Sequence, residues 1–249
     1  MRTRLGSLLL FIALIALWEA ACRWLAISAL ILPPPSSVMS VLASEITSGR
    51  IWPHLATTGA EMALGLTAGT VLGLCGGIIL AEWGTLRRLL QPYILASQLV
   101  PKLALGPLFI IWFGFGLTPA IVITALICFF PLLENTLIGL THVDPARREL
   151  FRMLGATRLQ TLTRLKLPSA LPVMLAGFRV AVVLALVGAV VGEFVGGRTG
   201  LGASIIAAQS TMDTPLIFAL FAAITALGLA VYQAAALVER MLLARYPKG

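Results

Sequence analysis

The sequence has little of what a soluble enzyme normally uses. Only 11% of its 249 residues are charged, and it contains three cysteines and two histidines. The cysteines, Cys22, Cys75 and Cys128, lie far apart in apolar stretches and lack the spacing of metal ligands, as expected of small buried apolar residues. The two histidines, His54 and His142, fall on opposite sides of the membrane topology predicted below. The sequence therefore disfavours a metal site within the membrane.

Catalytic and nucleotide-binding motifs are also missing. No segment reads G-x-x-x-x-G-K-[ST], so the chain has no P-loop to bind the phosphates of ATP. The glycine-rich segment 196–202 lacks the P-loop lysine and is typical of a tight turn. Neither H-E-x-x-H nor G-x-S-x-G occurs. We therefore expect no catalytic residue, no metal and no bound cofactor on this chain, which argues against an intramembrane enzyme.

Long apolar runs dominate what is present. Hydrophobic residues make up 59% of the chain, and they fall in runs of about 20 residues or more, the length that spans a bilayer as a helix. We predict an all-α membrane protein in which residues 1–249 form one domain. Six spans are predicted, at roughly 6–27, 57–81, 93–115, 118–140, 173–195 and 214–238. The first is expected to be an uncleaved helix, because Glu19 occupies the position three before Cys22 where a lipoprotein signal has an aliphatic residue.

Basic residues are concentrated on one side of this topology. The net charge is +8, which would suit nucleic acid if it were spread over a soluble surface. Instead, thirteen of the eighteen basic residues fall in stretches that share a side when the N-terminus is cytoplasmic. These are Arg2, Arg4, Arg87, Arg88, Arg147, Arg148, Arg152, Arg158, Arg164, Lys166, Arg240, Arg245 and Lys248. The distribution predicts that both termini are cytoplasmic and gives no reason to expect a nucleic-acid partner.

The most informative segment is the polar loop at 141–172. Glu149 is followed by Gly155, and nine further residues separate this glycine from Leu165, which precedes Leu167-Pro168. This spacing resembles the EAA coupling loop of binding-protein-dependent ABC importer permeases, although Leu150-Phe151 replace its two alanines. The resemblance implies that Glu149, Gly155, Ala156, Leu165, Leu167 and Pro168 couple the chain to an ATPase. We expect a short helix from about Pro145 to end at Gly155, and a second to stop at Pro168.

The third and fourth apolar segments resemble one branch of the same family. The residues that carry this resemblance are Pro101, Leu105, Pro107, Ile111 to Gly116, Phe129-Phe130-Pro131, Asn135-Thr136 and Gly139. The branch serves nitrate, bicarbonate, taurine, alkanesulfonates, and pyrimidine- or flavin-related compounds. Val100-Pro101-Lys102 and Glu61, where sulfonate-type members more often have arginine, look more like the pyrimidine-precursor and flavin group.

The resemblance implies a type I, MetI-like importer permease in the bacterial inner membrane. Two copies of such a permease, as a homodimer, work with two ATPase subunits that bind ATP and Mg, and with an extracytoplasmic solute-binding protein. The alternative is a secondary transporter or channel that needs no ATPase. Secondary transporters often contain inverted repeats, and no clear repeat is visible here.

Polar residues within the spans indicate where a solute could pass. Gln98 and Lys102 share a helical face, and Glu134 and Asn135 follow the bulky pair Phe129-Phe130. Broken backbone at membrane depth is tolerated only beside protein or water, so Pro101 and Pro107 favour a cavity there. We predict that this set lines the translocation pathway. Lys102 would attract an anionic or electron-rich substrate, or neutralise Glu134.

Two further features leave alternatives open. Glu61, Lys102, Glu134, Arg179 and Glu193 fall within predicted spans, where charges are costly, and each is either a pathway residue or half of a structural ion pair. A stripe of small residues also runs along the second span at four-residue spacing. It consists of Gly65, Gly69, Gly73 and Gly77 and allows close helix packing, within the subunit or between subunits.

Overall fold

Helices account for all of the regular structure in the part of the chain that is described. The computed structural model describes residues 2–244, without the side chains of residues 2–5, 8 and 103, so Arg245 and Lys248 lie outside it. The helices are α1 (Arg2–Trp24), α2 (Pro35–Thr47), α3 (Ile51–Glu82), α4 (Gly84–Leu99), α5 (Gly106–Phe113), α6 (Leu117–Thr141), α7 (Pro145–Met153), α8 (Arg158–Thr161), α9 (Leu167–Gly196), α10 (Leu201–Ser210) and α11 (Thr214–Ala244). A 3₁₀ turn, Lys102–Leu105, precedes α5, and a π-helical turn, Leu162–Lys166, joins α8 to α9.

Four helices are long and apolar enough to cross a membrane. They are α3, α6, the continuous helix Arg158–Gly196 and α11. These helices confirm the spans predicted near 57–81, 118–140, 173–195 and 214–238. The first predicted span lies almost entirely within α1, which is 23 residues long.

The third span predicted at 93–115 is interrupted at Pro101, as expected, whereas the interruption expected at Pro107 is wrong, because this proline lies in the first turn of α5. This segment is divided into α4, the 3₁₀ turn and the eight-residue α5. Pro101 disfavours a helical conformation for the residue before it, and Val100 is accordingly extended, with ψ at 124°. The amide of Ala104 then donates to the carbonyl of Pro101 at 2.8 Å and closes the 3₁₀ turn. The break lies beside α6, where it can place polar groups within the bundle.

The prediction that a helix stops at Pro168 is also wrong. Thr157 and Gln160 form a capping box that starts α8, with hydrogen bonds of 2.8 and 3.2 Å. The π-helical turn then leads directly into α9. Pro168 lies in the first turn of α9, where a missing amide proton is best tolerated. The result is one continuous helix of 39 residues, Arg158–Gly196.

The core of the bundle consists of α3, α6 and α9. The glycine stripe Gly65, Gly69, Gly73 and Gly77 runs parallel to α6 and faces it. A Cβ atom added at Gly69 would lie 2.7 Å from the carbonyl oxygen of Ala125, and one at Gly73 would lie 2.8 Å from that of Phe129. On the other side of α6, a Cβ at Gly192 of α9 would lie 2.4 Å from the Cα of Ala120. The absence of side chains therefore lets three helix backbones meet closely.

Replacing Gly73 with valine should lower the stability of the bundle. The new side chain would overlap the backbone of α6, and overpacking of this kind costs about 1–3 kcal/mol or more. The matched control is Gly59→Val on the same helix, because a Cβ at Gly59 meets nothing within 4 Å. Thermal unfolding of the two purified variants in detergent measures the difference. Equal unfolding temperatures would show that this stripe does not form the α3–α6 contact.

Candidate functional site

The coupling segment, residues 144–166, lies at the end of the bundle formed by the last turn of α3 and the start of α9. We call this the basic end. Asp144 caps α7 by accepting a hydrogen bond from the amide of Ala146 at 2.9 Å. At the other end of α7, Gly155 has φ +68°, and the amide of Ala156 donates to the carbonyl of Phe151 at 3.0 Å. This left-handed turn is a glycine helix end, which confirms the prediction of a short helix from Pro145 that ends at Gly155.

The surface of α7 is free for a partner. None of its residues is buried, and within residues 2–244 the carboxylate of Glu149 is bound only by Arg152 of the same helix, at 3.0 Å. Leu150, Met153 and Leu154 are also exposed, with 78% of the Met153 surface accessible. A helix that presents apolar and acidic side chains in this way offers a docking surface rather than a packed core.

The remaining predicted coupling residues connect this surface to the bundle. Leu165 is buried, and its neighbour Lys166 forms an ion pair with Glu82 at the end of α3, with 2.6 Å between Nζ and Oε1. Leu167 and Pro168 lie half-buried in the first turn of α9. The six residues thus divide into an exposed helix and turn, and an anchor between α3 and α9. A displacement of the exposed helix would be transmitted to the bundle through the contacts of Leu165 and Lys166.

A polar cluster lies where the third segment is broken. Gln98 Nε2 of α4 donates to Glu134 Oε1 of α6 at 2.6 Å. The ammonium group of Lys102, in the 3₁₀ turn, lies 4.5 Å from the centroid of the Phe130 ring and 3.4 Å from the carbonyl oxygen of Gln98. Within residues 2–244, no ion pair joins Lys102 to Glu134. The lysine charge is instead held by a ring face and a carbonyl dipole, and both leave it accessible to an anion.

One predicted pathway residue lies away from this cluster. The amide of Asn135 donates to the carbonyl of Pro131 at 2.8 Å and packs against Gly177 of α9. The ring of Phe129 lies near Gly76 of α3 and also packs edge-on against the ring of Phe130, with 5.0 Å between the ring centroids. The structure therefore brings together Gln98, Lys102, Phe129, Phe130 and Glu134, but not Asn135.

The other charges predicted within the spans have structural partners or neighbours. The guanidinium of Arg179 donates to Glu239 of α11, with 3.0 Å from Nε to Oε2. Glu193 of α9 accepts a hydrogen bond from the hydroxyl of Thr58 at 2.5 Å and from the amides of Gly202 and Ala203 at the start of α10. Sequence reasoning missed these partners. Glu239 lies one residue beyond the predicted last span, and the Thr58 hydroxyl meets Glu193 across 135 positions of sequence.

Glu61 differs from the other buried charges. It is only 1% exposed, and neither of its carboxyl oxygens has a hydrogen-bond donor. It lies within hydrogen-bonding reach of Glu193, itself 2% exposed. Two carboxyl groups thus meet in the core, so the alternative of a structural ion pair is not realised at either residue within 2–244.

An open cavity of about 500 Å³ lies at the opposite end of the bundle, among α2, α3, α10 and α11. Glu45 and Arg50 form an ion pair at its rim, 2.5 Å apart. The Glu45 carboxylate, which accepts hydrogen bonds from the guanidinium, raises the pKa of Arg50 above its ordinary value. His54 Nδ1 accepts a hydrogen bond from the amide of Gly200 at 3.1 Å and fixes the glycine-rich turn beside the cavity.

Long apolar helices, a broken helix beside a half-buried polar cluster and an exposed helix at one end are features of a multi-pass membrane transport protein. The chain belongs to the family of binding-protein-dependent transport system inner membrane components, which its residues 73–245 match. It is thus a permease subunit of an ABC importer.

Relatives with named substrates support this assignment. The chain is 40% identical over 239 residues to the riboflavin transport system permease protein RibX of Chloroflexus aurantiacus, covering 96% of this chain and 89% of the relative. It is 34% identical over 235 residues to the formylaminopyrimidine transport permease protein ThiX of Halalkalibacterium halodurans, covering 94% and 93%. It is also 34% identical over 237 residues to the putative aliphatic sulfonates transport permease protein SsuC of Bacillus subtilis, covering 95% and 86%.

A solved structure shows the same fold. A chain of the MetNI methionine ABC transporter, in an inward-facing conformation, matches with a TM-score of 0.68 at 20% identity. The match covers 78% of this chain and 97% of that chain. The expectation of a MetI-like permease fold is thereby confirmed.

Proposed function

We propose that this permease imports a small polar or anionic organic solute, with riboflavin-like and pyrimidine-precursor compounds as the first candidates. The relatives RibX and ThiX, named for riboflavin and formylaminopyrimidine, support this range. ATP and Mg are bound by two separate ATPase subunits, because the sequence has no P-loop. The uncovered surface of α7, with Glu149, is the docking site for these subunits.

The basic end faces the cytoplasm in the inner membrane, and both termini lie on that side. Arg87 and Arg88 near the start of α4, together with the arginines of α7 and α8, lie at this end. Positive charge is retained on the cytoplasmic side of membrane proteins, which supports the orientation. The cavity beside His54 then faces outward, where it is available to a solute-binding protein.

Two copies of the chain form the complete permease. Across its 16 residues, α4 has no buried residue, and Leu99 is 86% and Ile111 of α5 78% exposed. This apolar face lies next to the polar cluster. A second copy packed against it would enclose the cluster between the two subunits and would leave the lipid-facing surface to the other helices.

The proposed pathway rests on the polar cluster at the break between α4 and α5. Gln98, Lys102, Phe130 and Glu134 converge where the third segment loses regular helical hydrogen bonding. Unpaired backbone at membrane depth is tolerated where it is covered by protein or meets water. Lys102 supplies positive charge for an anionic or electron-rich solute, and the Phe130 ring supplies a face for stacking.

Replacing Lys102 with alanine should lower solute flux about tenfold, the effect of losing one contact to a charged group. Assembly with the ATPase should be unchanged, because Lys102 lies outside the coupling segment. Uptake of riboflavin or formylaminopyrimidine by proteoliposomes that contain the whole transporter measures the flux, and co-purification measures assembly. Arg88→Gln, which removes one charge outside the cluster, is the control. Uptake that persists without any ATPase would instead support a secondary transporter.

Cysteine accessibility tests the same pathway without depending on the solute. In a background that lacks Cys22, Cys75 and Cys128, cysteines at positions 98 and 102 should react with water-soluble thiol reagents added outside the outward-open transporter. A cysteine at 135, which faces α9, is the matched control and should be protected. Protection of both test positions in a complex that still transports would place the pathway elsewhere.

A further inference from the structure

A second cavity lies at the basic end, behind the coupling segment. It is open, has a volume of about 310 Å³ and lies between the last turn of α3, α7, α8 and the π-helical turn. Its polar wall consists of Glu82, Arg148, Arg152, Arg158, Thr161 and Lys166. Four cations and a single carboxylate therefore line the same space, and the net field favours an anion.

Two of these cations have no carboxylate partner. Arg152 is bound by Glu149 at 3.0 Å, and Lys166 is bound by Glu82 at 2.6 Å. Among residues 2–244, the guanidinium groups of Arg148 and Arg158 form neither an ion pair nor a hydrogen bond. Guanidinium groups bind phosphate oxygens in a planar, bidentate geometry. Two free guanidinium groups beside one cavity thus suit a phosphodiester.

An apolar groove adjoins the basic cavity, and Glu82 lines both. The groove has a volume of about 500 Å³, and its remaining wall is formed by Trp83, Gly84, Thr85, Leu86 and Leu89. Trp83 is 56% and Leu89 64% exposed. Tryptophan is enriched at the headgroup level of membranes, and the exposed Leu89 and half-buried Leu86 beside it suit a hydrocarbon chain. A free phosphate would make no use of this groove.

We propose that this site binds an anionic phospholipid, with its phosphodiester between Arg148 and Arg158 and one acyl chain along Trp83, Leu86 and Leu89. The proposal rests on the cytoplasmic placement of the basic end, since a basic pocket at the end of the spans is then at headgroup level. The lipid touches both the coupling segment and α3, and so stabilises their contact. Arg148 and Arg152 share one face of α7 by their four-residue spacing, which leaves Glu149 and Met153 for the ATPase.

Native mass spectrometry of the purified full-length chain tests the site directly. Dioleoyl phosphatidylglycerol and dioleoyl phosphatidylcholine are compared, so that only the headgroup differs. We expect the chain to retain the anionic lipid in preference, and the double variant Arg148→Gln/Arg158→Gln to lower that preference about tenfold or more, given the attraction of each basic residue for an anionic surface. Arg147→Gln/Arg164→Gln is the matched control: it removes the same charge at the same end from residues outside the cavity, and should retain the preference.

Further measurements distinguish a bound phospholipid from other anions. Leu86→Ser/Leu89→Ser should lower retention of dioleoyl but not of dihexanoyl phosphatidylglycerol, and millimolar inorganic phosphate should not compete. Effective competition by phosphate would assign the cavity to a free anion. Equal retention of the two headgroups by the unmodified chain, or equal loss in both double variants, would overturn the proposal. Arg158→Gln alone serves if the double variant does not purify, because its side chain has no partner to lose among residues 2–244.

The ATPase is the competing occupant of the basic cavity. If Arg148→Gln/Arg158→Gln abolished co-purification of the ATPase but left the lipid preference intact, the cavity would belong to that interface. Lipid retention is measured on the chain alone and requires no transport. A failure of the proposed import activity would therefore appear in the uptake assay, whereas a failure of this site would appear only in the lipid measurement.

Discussion

Replacing Gly155 with valine should abolish ATP-driven import while leaving membrane insertion intact. Gly155 has φ +68°, a conformation that costs other L-amino acids about 1–2 kcal/mol and a β-branched residue more. Valine would therefore open the turn that ends α7 and would move Glu149 and Met153 relative to the anchor at Lys166. Because the turn lies outside the long helices, the bundle itself should assemble normally.

The decisive measurements are co-purification of the ATPase and ATP hydrolysis stimulated by the binding protein. Gly155→Asn should be milder, because asparagine tolerates the left-handed conformation better than other residues. Gly59→Val is the matched control, since its φ is not positive, a Cβ there meets nothing within 4 Å and it lies away from the coupling segment. Charge reversal at Glu149, by Glu149→Lys, should weaken ATPase association without altering the turn. Normal stimulated hydrolysis in both Gly155→Val and Glu149→Lys would refute the assignment of this segment.

Replacing Glu193 with alanine should destabilise the whole permease. Its carboxylate accepts hydrogen bonds from the Thr58 hydroxyl and from two amides at the start of α10. Both amides would be left without an acceptor, whereas the hydroxyl would keep the carbonyl of His54. Each buried donor without a partner costs about 1–3 kcal/mol, so we expect a loss of several kcal/mol and little folded protein. Size-exclusion chromatography and thermal unfolding in detergent measure this effect.

Two amide variants provide the controls for this prediction. Glu193→Gln keeps one acceptor oxygen and should be intermediate in stability. Glu61→Gln should unfold at or above the temperature of the unmodified protein, because its amide supplies a donor toward Glu193 and removes one of two adjacent buried acids. If Glu193→Ala were as stable as Glu61→Gln, the carboxylate would not hold α3, α9 and α10 together.

The sequence predicts structural features that depend on neighbouring residues, but not those that depend on contacts between residues far apart in the chain. The turn at Gly155 was predictable, because Pro145 and Gly155, ten residues apart, are typical of the start and the end of a short helix. The break at Pro101 was also predictable locally, because proline disfavours a helical conformation for the residue before it. The passage through Pro168 was not predictable. It depends on the burial of Leu165 and on the ion pair between Lys166 and Glu82, which lie 84 positions apart.

The polar cluster could likewise be predicted only in part from the sequence. The prediction that Gln98 and Lys102 share a helical face is wrong, because α4 ends at Leu99 and Lys102 lies in the 3₁₀ turn, although each contacts a residue of α6. The orientation of Asn135 toward α9 follows from the close approach at Gly177, which no local pattern reveals. The meeting of Glu61 with Glu193 likewise depends on how α3 packs against α9 rather than on either segment alone.

The long helix Arg158–Gly196, which includes the π-helical turn and Pro172, has a mechanical consequence. At about 1.5 Å per residue, its 39 residues extend roughly 60 Å. One end adjoins the exposed helix α7, and Glu193, near the other end, accepts hydrogen bonds from the first amides of α10. If the ATPase docks on α7 as proposed, a tilt of the long helix at Arg158 would move the start of α10 on the far side of the membrane. The close contacts of Gly188 and Gly192 with α6 would then be the point about which the helix turns.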